Sequence, residues 1–254
     1  MAAKEFKGRT ALVTGGASGI GAATVRAFCE AGASVVIADI QDTPGEILAK
    51  TLREKGHKVK FVHCDMLKEA DIRGAIKLAV SEYGGLHHAF NNAGIEGETG
   101  TTAECNNKNW DAVTGINLRG VWWCMKHEIP ALLAAGGGTI VNCASIAGLV
   151  GFQNIPAYVA SKHGVVGLTR AAALEYAAQK IRVNAVCPGV IETPMIERFT
   201  GNDPDARAGL VASEPIGRMG QPEEIAAAVV WLSGPGSSFT TGQALAVDGG
   251  WVAQ

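Results

Sequence analysis

Arg9-Thr10-Ala11-Leu12-Val13-Thr14-Gly15-Gly16-Ala17-Ser18-Gly19-Ile20-Gly21 reads as a short buried strand, a glycine-rich turn and the start of a helix. The helical pattern runs to about Ala31, and Gly32 supplies its stop. A turn of this kind lets the backbone approach a pyrophosphate, whose charge then meets the unpaired N–H groups and positive dipole end of the helix. The candidate contacts are Gly15, Ser18, Gly19, Ile20 and Gly21. Their spacing, Gly-x-x-x-Gly-x-Gly, departs from the common dinucleotide fingerprint Gly-x-Gly-x-x-Gly. Taken alone, the segment is also compatible with a plain tight turn between strand and helix.

The next strand, Ser34-Val35-Val36-Ile37-Ala38, ends in Asp39. A carboxylate at that tip can accept hydrogen bonds from adenosine ribose hydroxyls and repels a 2′-phosphate, so the expected cofactor is NAD rather than NADP. Ser18 before Gly19 and Ile40 after Asp39 offer no positive charge to reverse that preference.

Strand and helix signals then alternate. Thr43-Pro44-Gly45-Glu46 has the form of a capping box opening a helix that runs to Glu54 or Lys55. A strand over Lys58 to Cys64 ends at Asp65, with Met66 beside it. Asp65 is a candidate contact to an adenine amino group, and as a residue following a strand it is also a candidate helix cap. A helix from about Glu69 to Tyr83 leads to a strand at Leu86 to Phe90 and then to Asn91-Asn92-Ala93-Gly94, where small residues again allow a cofactor to cross a strand end.

The apolar run Thr139 to Ala144 places Ser145 at a strand exit. Pro156 suits the first turn of the helix that follows, and Tyr158 and Lys162 share one face of it at i and i+4. An ammonium held near a phenol favours the phenolate, which makes Tyr158 a candidate general acid/base. The ordinary alternative is an amphipathic face with a snorkelling lysine.

Taken with Thr14 to Gly21 and Asn91-Asn92-Ala93-Gly94, this pattern resembles the short-chain dehydrogenase/reductase family over the whole chain. Thr14 to Gly21 matches that family's own glycine motif. The resemblance implies that Ser145, Tyr158 and Lys162 are catalytic and that Asn117 completes a tetrad, distorting its helix and holding a water linked to the lysine. It implies cofactor contacts from Asn91, Ala93 and Gly94, from Pro188-Gly189 closing the sixth strand, and from Ile191 and Thr193 beside nicotinamide. It also implies a strand order of 3-2-1-4-5-6-7 and a homotetramer packed through two helices and the last strand.

Composition bounds the rest. The chain has 254 residues, 47% of them hydrophobic, enough for a sizeable core. A formal net charge of −2 without a basic run argues against nucleic acid or an anionic membrane as partner. No stretch has the length of a membrane span and the first residues lack a signal-peptide layout, so the cytoplasm is expected. The six cysteines are too dispersed for a metal or redox motif, and no metal is expected.

The expected fold is a single doubly wound α/β (Rossmann-like) domain over residues 1–254, with a mainly parallel seven-stranded sheet and helices on both faces. One long helical region, about Asn107 to Ala134, is expected to kink or end at Pro130, and the Tyr158 helix to reach about Ala178. Residues 194–220 read as an irregular lid over the site. The pocket wall is expected from Ile95, Glu96, Ile146, Ala147, Phe152, Gln153, Met195, Ile196 and Phe199, with Arg198 and Arg207 facing solvent. This wall suits an uncharged cyclic or medium-chain secondary alcohol, or its ketone. Two other functions are compatible with the fold: an NADP-dependent 3-oxoacyl thioester reductase, which Asp39 disfavours, and a non-catalytic dinucleotide sensor, which retention of Ser145, Tyr158 and Lys162 disfavours.

Overall fold

The computed structural model describes residues 5–201 and 203–254. Seven strands form one parallel sheet: β1 Thr10–Thr14, β2 Ser34–Asp39, β3 Val59–His63, β4 His88–Asn91, β5 Gly138–Cys143, β6 Ile181–Pro188 and β7 Ala244–Val247. Their order is β3-β2-β1-β4-β5-β6-β7, as the resemblance implies. Leu12 of β1 lies opposite Val36 of β2 on one side and Ala89 of β4 on the other. Chain direction therefore reverses its spread between β1 and β4, which opens a crevice at their carboxyl ends.

The strands are apolar on both faces because both faces are covered. Alternate residues diverge: Ala11 and Val13 of β1 pack with Val25 and Phe28 of α1 (Gly19–Glu30), Leu48 of α2 (Asp42–Glu54), and Ile225 and Val229 of the late helix Pro222–Ser233. Leu12 packs on the opposite face with Ile72 and Ala75 of α3 (Glu69–Tyr83), and with residues of the two long helices that follow β4 and β5. The first of these begins as α4 (Asn107–Thr114), passes through a π-helical turn at Gly115–Gly120 and continues as α5 (Val121–Ala134). The second is α6 (Pro156–Tyr176).

Several boundaries differ from expectation. The Thr43 capping box is not formed, because α2 already starts at Asp42 with Gln41 before it. Pro130 does not end the long helix. Pro130 and Lys126, whose carbonyl loses its partner there, are both exposed, so water can take the freed acceptor and α5 continues to Ala134. The Tyr158 helix gives way to a tighter 3-10 turn at Ala177–Gln179.

The largest difference lies in the lid. The stretch expected to be irregular contains α7 (Pro194–Thr200) and α8 (Pro204–Ala212), before the Pro222–Ser233 helix, α9. Each of the two begins on a proline in its first turn, and Asp203 caps α8 by accepting the Asp205 N–H at 3.0 Å.

Candidate active site

The glycine turn is built by close backbone approach. Gly15 has φ +62°, and a Cβ there would lie 2.8 Å from the Cα of Ala93; a Cβ on Gly21 would lie 2.0 Å from the Gly15 carbonyl oxygen. The first turn of α1 thus rests directly on the loop, and the loop on the exit of β4. Asn92 ties the three together. Its side-chain amide donates to the carbonyls of Thr14 at 3.1 Å and Gly15 at 3.0 Å, while the Thr14 hydroxyl accepts the N–H groups of Asn92 at 3.0 Å and Ala93 at 3.2 Å. Asn92 had no individual role in the sequence reading, although it stands inside the Asn91-Asn92-Ala93-Gly94 match.

Asp39 is buried at the tip of β2. One of its oxygens accepts the Ala17 N–H and the other the Gln41 N–H, each at 2.9 Å. Each oxygen keeps a second acceptor position, and the residue lines the cavity beside Ser18 and Ile40. Asp65 does not cap α3, whose N-cap position is Lys68. Asp65 lines the cavity next to Met66, and it stabilises the turn before α3 by accepting the Leu67 N–H at 3.0 Å.

The catalytic candidates converge from two elements. Ser145 leaves β5 in extended conformation, its hydroxyl accepting the Ala147 N–H at 3.1 Å. From α6, the buried Lys162 ammonium lies 5.5 Å from the Tyr158 ring centroid and donates to the Cys143 carbonyl at 2.8 Å. All three line one cavity of about 800 Å³. Cys64 and Cys143 line it too, but burial pushes both thiols up, Cys64 to about 12, which leaves them protonated near neutrality.

Asn117 sits within the π-helical turn, fully buried. It makes a two-way contact with one backbone residue, accepting the Ile95 N–H at 2.9 Å and donating to the Ile95 carbonyl at 2.8 Å. Its side chain therefore fixes the chain just beyond Ala93-Gly94 rather than lining the cavity itself. Turns of this type inside α-helices commonly mark functional positions.

Two further residues from the sequence reading are off the cavity wall. Gly21 acts through packing, as above. Asn91 is a correction: at the end of β4 its side chain turns into the interior, donating to Glu128 at 3.0 Å and Asn142 at 3.0 Å, because alternation along the strand sends its neighbour Asn92 toward the glycine turn instead. The remaining candidates, Gly15, Ser18, Gly19, Ile20, Asp39, Ile40, Asp65, Met66, Ala93, Gly94, Pro188, Gly189, Ile191 and Thr193, all line it.

Beyond Tyr158 the wall is mainly apolar. Ile95, Ile146, Ala147, Phe152, Met195, Ile196, Phe199 and Leu210 contribute, with Gln153 and Glu96 as polar members. Trp251 also lines this cavity and packs on Phe152 with ring centroids 5.6 Å apart. The lid arginines are engaged rather than simply solvated: Arg198 pairs with Glu96 and Arg207 with Glu192. Among the described residues no cluster of His, Cys, Asp or Glu suitable for a metal is found, and no helix is long and apolar enough to cross a membrane.

A dinucleotide fits this cavity. The turn has no Cβ where backbone must come close, the first turn of α1 has unpaired N–H groups to offer a pyrophosphate, and a carboxylate stands where the adenosine ribose would end. Comparison with known proteins agrees. The family model described as enoyl-(acyl carrier protein) reductase matches residues 15–252. A cyclohexanol dehydrogenase of Acinetobacter sp. (strain SE19) is 46% identical over 98% of this chain and 97% of its own. A 2,5-dichloro-2,5-cyclohexadiene-1,4-diol dehydrogenase of Sphingobium indicum is 42% identical over 98% and 99%. The crystal structure of a short-chain type dehydrogenase/reductase from Mycobacterium marinum superposes with a TM-score of 0.93 at 32% identity, over 99% of this chain and 98% of that one.

Proposed function

The chain belongs to the short-chain dehydrogenase/reductase family, whose members use a nicotinamide dinucleotide, and we propose that it is an NAD-dependent dehydrogenase interconverting an uncharged cyclic or medium-sized secondary alcohol and its ketone. One observation carries the reading: Ser145, Tyr158 and Lys162 share a single cavity with a mainly apolar wall and a dinucleotide-compatible cradle. The names of the cyclohexanol and cyclohexadiene-diol dehydrogenases support a cyclic substrate.

In this reading Gly15, Ser18, Gly19 and Ile20 hold the pyrophosphate, Asp39 and Ile40 the adenosine ribose, Asp65 and Met66 the adenine, and Ala93, Gly94, Pro188, Gly189, Ile191 and Thr193 the nicotinamide half. When bound, the nicotinamide supplies the acceptor for the carbinol hydrogen and its electron pair. Tyr158 takes the proton of the substrate hydroxyl, and Ser145 donates to the same oxygen and orients it. Lys162 sets its ammonium beside the Tyr158 ring and would hold the nicotinamide ribose. Asn117 keeps the Ile95 backbone in place beside them.

Asp39 favours NAD because a 2′-phosphate would meet a buried carboxylate, with no Lys or Arg among the cavity residues near it. A thioester carried on a phosphorylated arm would call for free cations at the substrate end. Apart from Lys162, Arg198 is the one Lys or Arg among the described lining residues, and Glu96 engages it. A panel of neutral ring alcohols, linear alcohols and 3-hydroxyacyl thioesters, assayed with NAD and NADP by absorbance of the reduced cofactor, tests the proposal. Turnover restricted to charged thioesters would overturn it.

The protein is further proposed to be a cytoplasmic homotetramer. Leu174 of α6, Trp231 of α9 and Phe239 expose large apolar surface, which supports association between copies of the chain. Light scattering at micromolar concentration, giving four times the chain mass, is the expected result.

A further inference from the structure

Arg198 and Glu96 both line the cavity that holds Tyr158, and they meet as a fork: Arg198 Nε donates to Glu96 Oε1 at 3.0 Å and a terminal guanidinium nitrogen to Oε2 at 3.3 Å. Both carboxylate oxygens are used, so the guanidinium is neutralised by a geometrically matched partner. The partners differ in support. Glu96 follows Ile95, whose N–H and carbonyl are both held by Asn117, whereas Arg198 belongs to the seven-residue lid helix α7. Arg198 remains 59% exposed in its side chain, and a pair this open adds roughly 0–1 kcal/mol to stability. Holding the lid down is therefore a weak reason for the pair. Cancelling a charge at the substrate end is a stronger one.

We infer that Glu96 is a specificity residue that masks Arg198, so that the cavity rejects ring alcohols carrying a carboxylate and accepts neutral ones. An anionic substrate has to displace a carboxylate that is anchored through the backbone and already placed on the Nε edge of the guanidinium, where it takes two of the three nitrogens. A neutral one leaves the pair intact. The inference rests on the proposed reaction and extends it to charge selection.

The test compares wild type, Glu96→Gln and the double variant Glu96→Gln/Arg198→Gln. The ratio of kcat/KM for 4-hydroxycyclohexanecarboxylate to that for cyclohexanol is expected to rise about tenfold in Glu96→Gln, mainly through KM, a change equivalent to about 1.4 kcal/mol. The gain is expected to disappear in the double variant. Binding of cyclohexanecarboxylate, followed by tryptophan fluorescence through Trp251 at the cavity, should tighten and weaken in the same order. A ratio within twofold of wild type, or a gain that survives loss of Arg198, overturns the mask. Failure of the wild type to oxidise either alcohol overturns the proposed reaction instead, and the binding series then decides the mask without turnover.

Discussion

The Lys162 ammonium lies 5.5 Å from the Tyr158 ring centroid and is anchored at 2.8 Å by the carbonyl of Cys143, the last residue of β5, with only Ala144 between it and Ser145. The helix supplies the spacing and the end of β5 supplies the anchor, so the lysine is held between the elements that carry the Tyr158 and Ser145 hydroxyls. Replacing Tyr158 by Phe removes only the oxygen proposed to transfer the proton. Turnover is expected to fall by about 10²-fold or more, the usual contribution of a positioned acid/base, with cofactor affinity nearly unchanged. Lys162→Ala should lower both, since one ammonium serves both. Steady-state kinetics with titration of NADH fluorescence checks this, and a Phe variant within tenfold of wild type contradicts the assignment.

Asp39 is committed twice, to the backbone of the glycine turn through Ala17 and to Gln41, as well as to the proposed ribose. Asp39→Ala should therefore weaken NADH binding and, by removing the repulsion, weaken NADPH binding less or not at all. The ratio of the two dissociation constants is expected to narrow by about tenfold, or roughly 1.4 kcal/mol. An unchanged ratio would show that the carboxylate does not discriminate.

Gly21 has no room for a methyl group, with the Gly15 carbonyl 2.0 Å from where a Cβ would stand. Gly21→Ala must displace the glycine turn from α1. A loss of about 1–3 kcal/mol in stability is expected, as for other overpacked sites, together with a drop in cofactor affinity. Denaturant melts with and without NADH measure both. A variant with wild-type affinity would remove the turn from the proposed cofactor site.

Glu128 is sealed beneath the site, its Oε2 accepting from Asn91, and burial pushes its carboxyl up to about 8 against the lowering effect of that hydrogen bond. Glu128 Oε1 and Asn91 Oδ1 have no hydrogen-bond partner. The nearby Cys124 and Cys64 are buried thiols, themselves pushed upward. Between the ordinary carboxylate value and about 8 the folded protein holds a proton that the unfolded chain has released. Stability is therefore lost as pH rises through that window, at up to about 1.4 kcal/mol per pH unit. Glu128→Gln mimics the neutral acid, so it should match wild type at pH 5 and exceed it by a few kcal/mol at pH 8. Thermal melts at both values check this, and a constant difference in Tm would contradict it.

The sheet and its helices are legible in the sequence because buried parallel strands are short β-branched runs such as Val35-Val36-Ile37, separated by helices that end at glycine. The catalytic spacing is legible because i and i+4 on a helix is a local property. Orientation at a strand end is not local. Whether Asn91 or Asn92 faces the glycine turn depends on the register of β4 beside β1, and the structure gives the turn to Asn92. The lid helices have visible signals in Thr193-Pro194 and Asp203-Pro204, but the glycines and prolines around them suggest loop equally well. Trp251 reaches the cavity only because the segment after β7 returns over Phe152, a contact between distant parts of the chain.

The most direct measurement follows deuterium from cyclohexanol labelled at the carbinol carbon, incubated with NAD and the protein, with the reduced cofactor analysed by mass spectrometry. NADH carrying one deuterium is expected with wild type, and about 10²-fold less or none with Tyr158→Phe. Absence of NADH with wild type across the neutral ring alcohols, or NADH formed without the label, would contradict it.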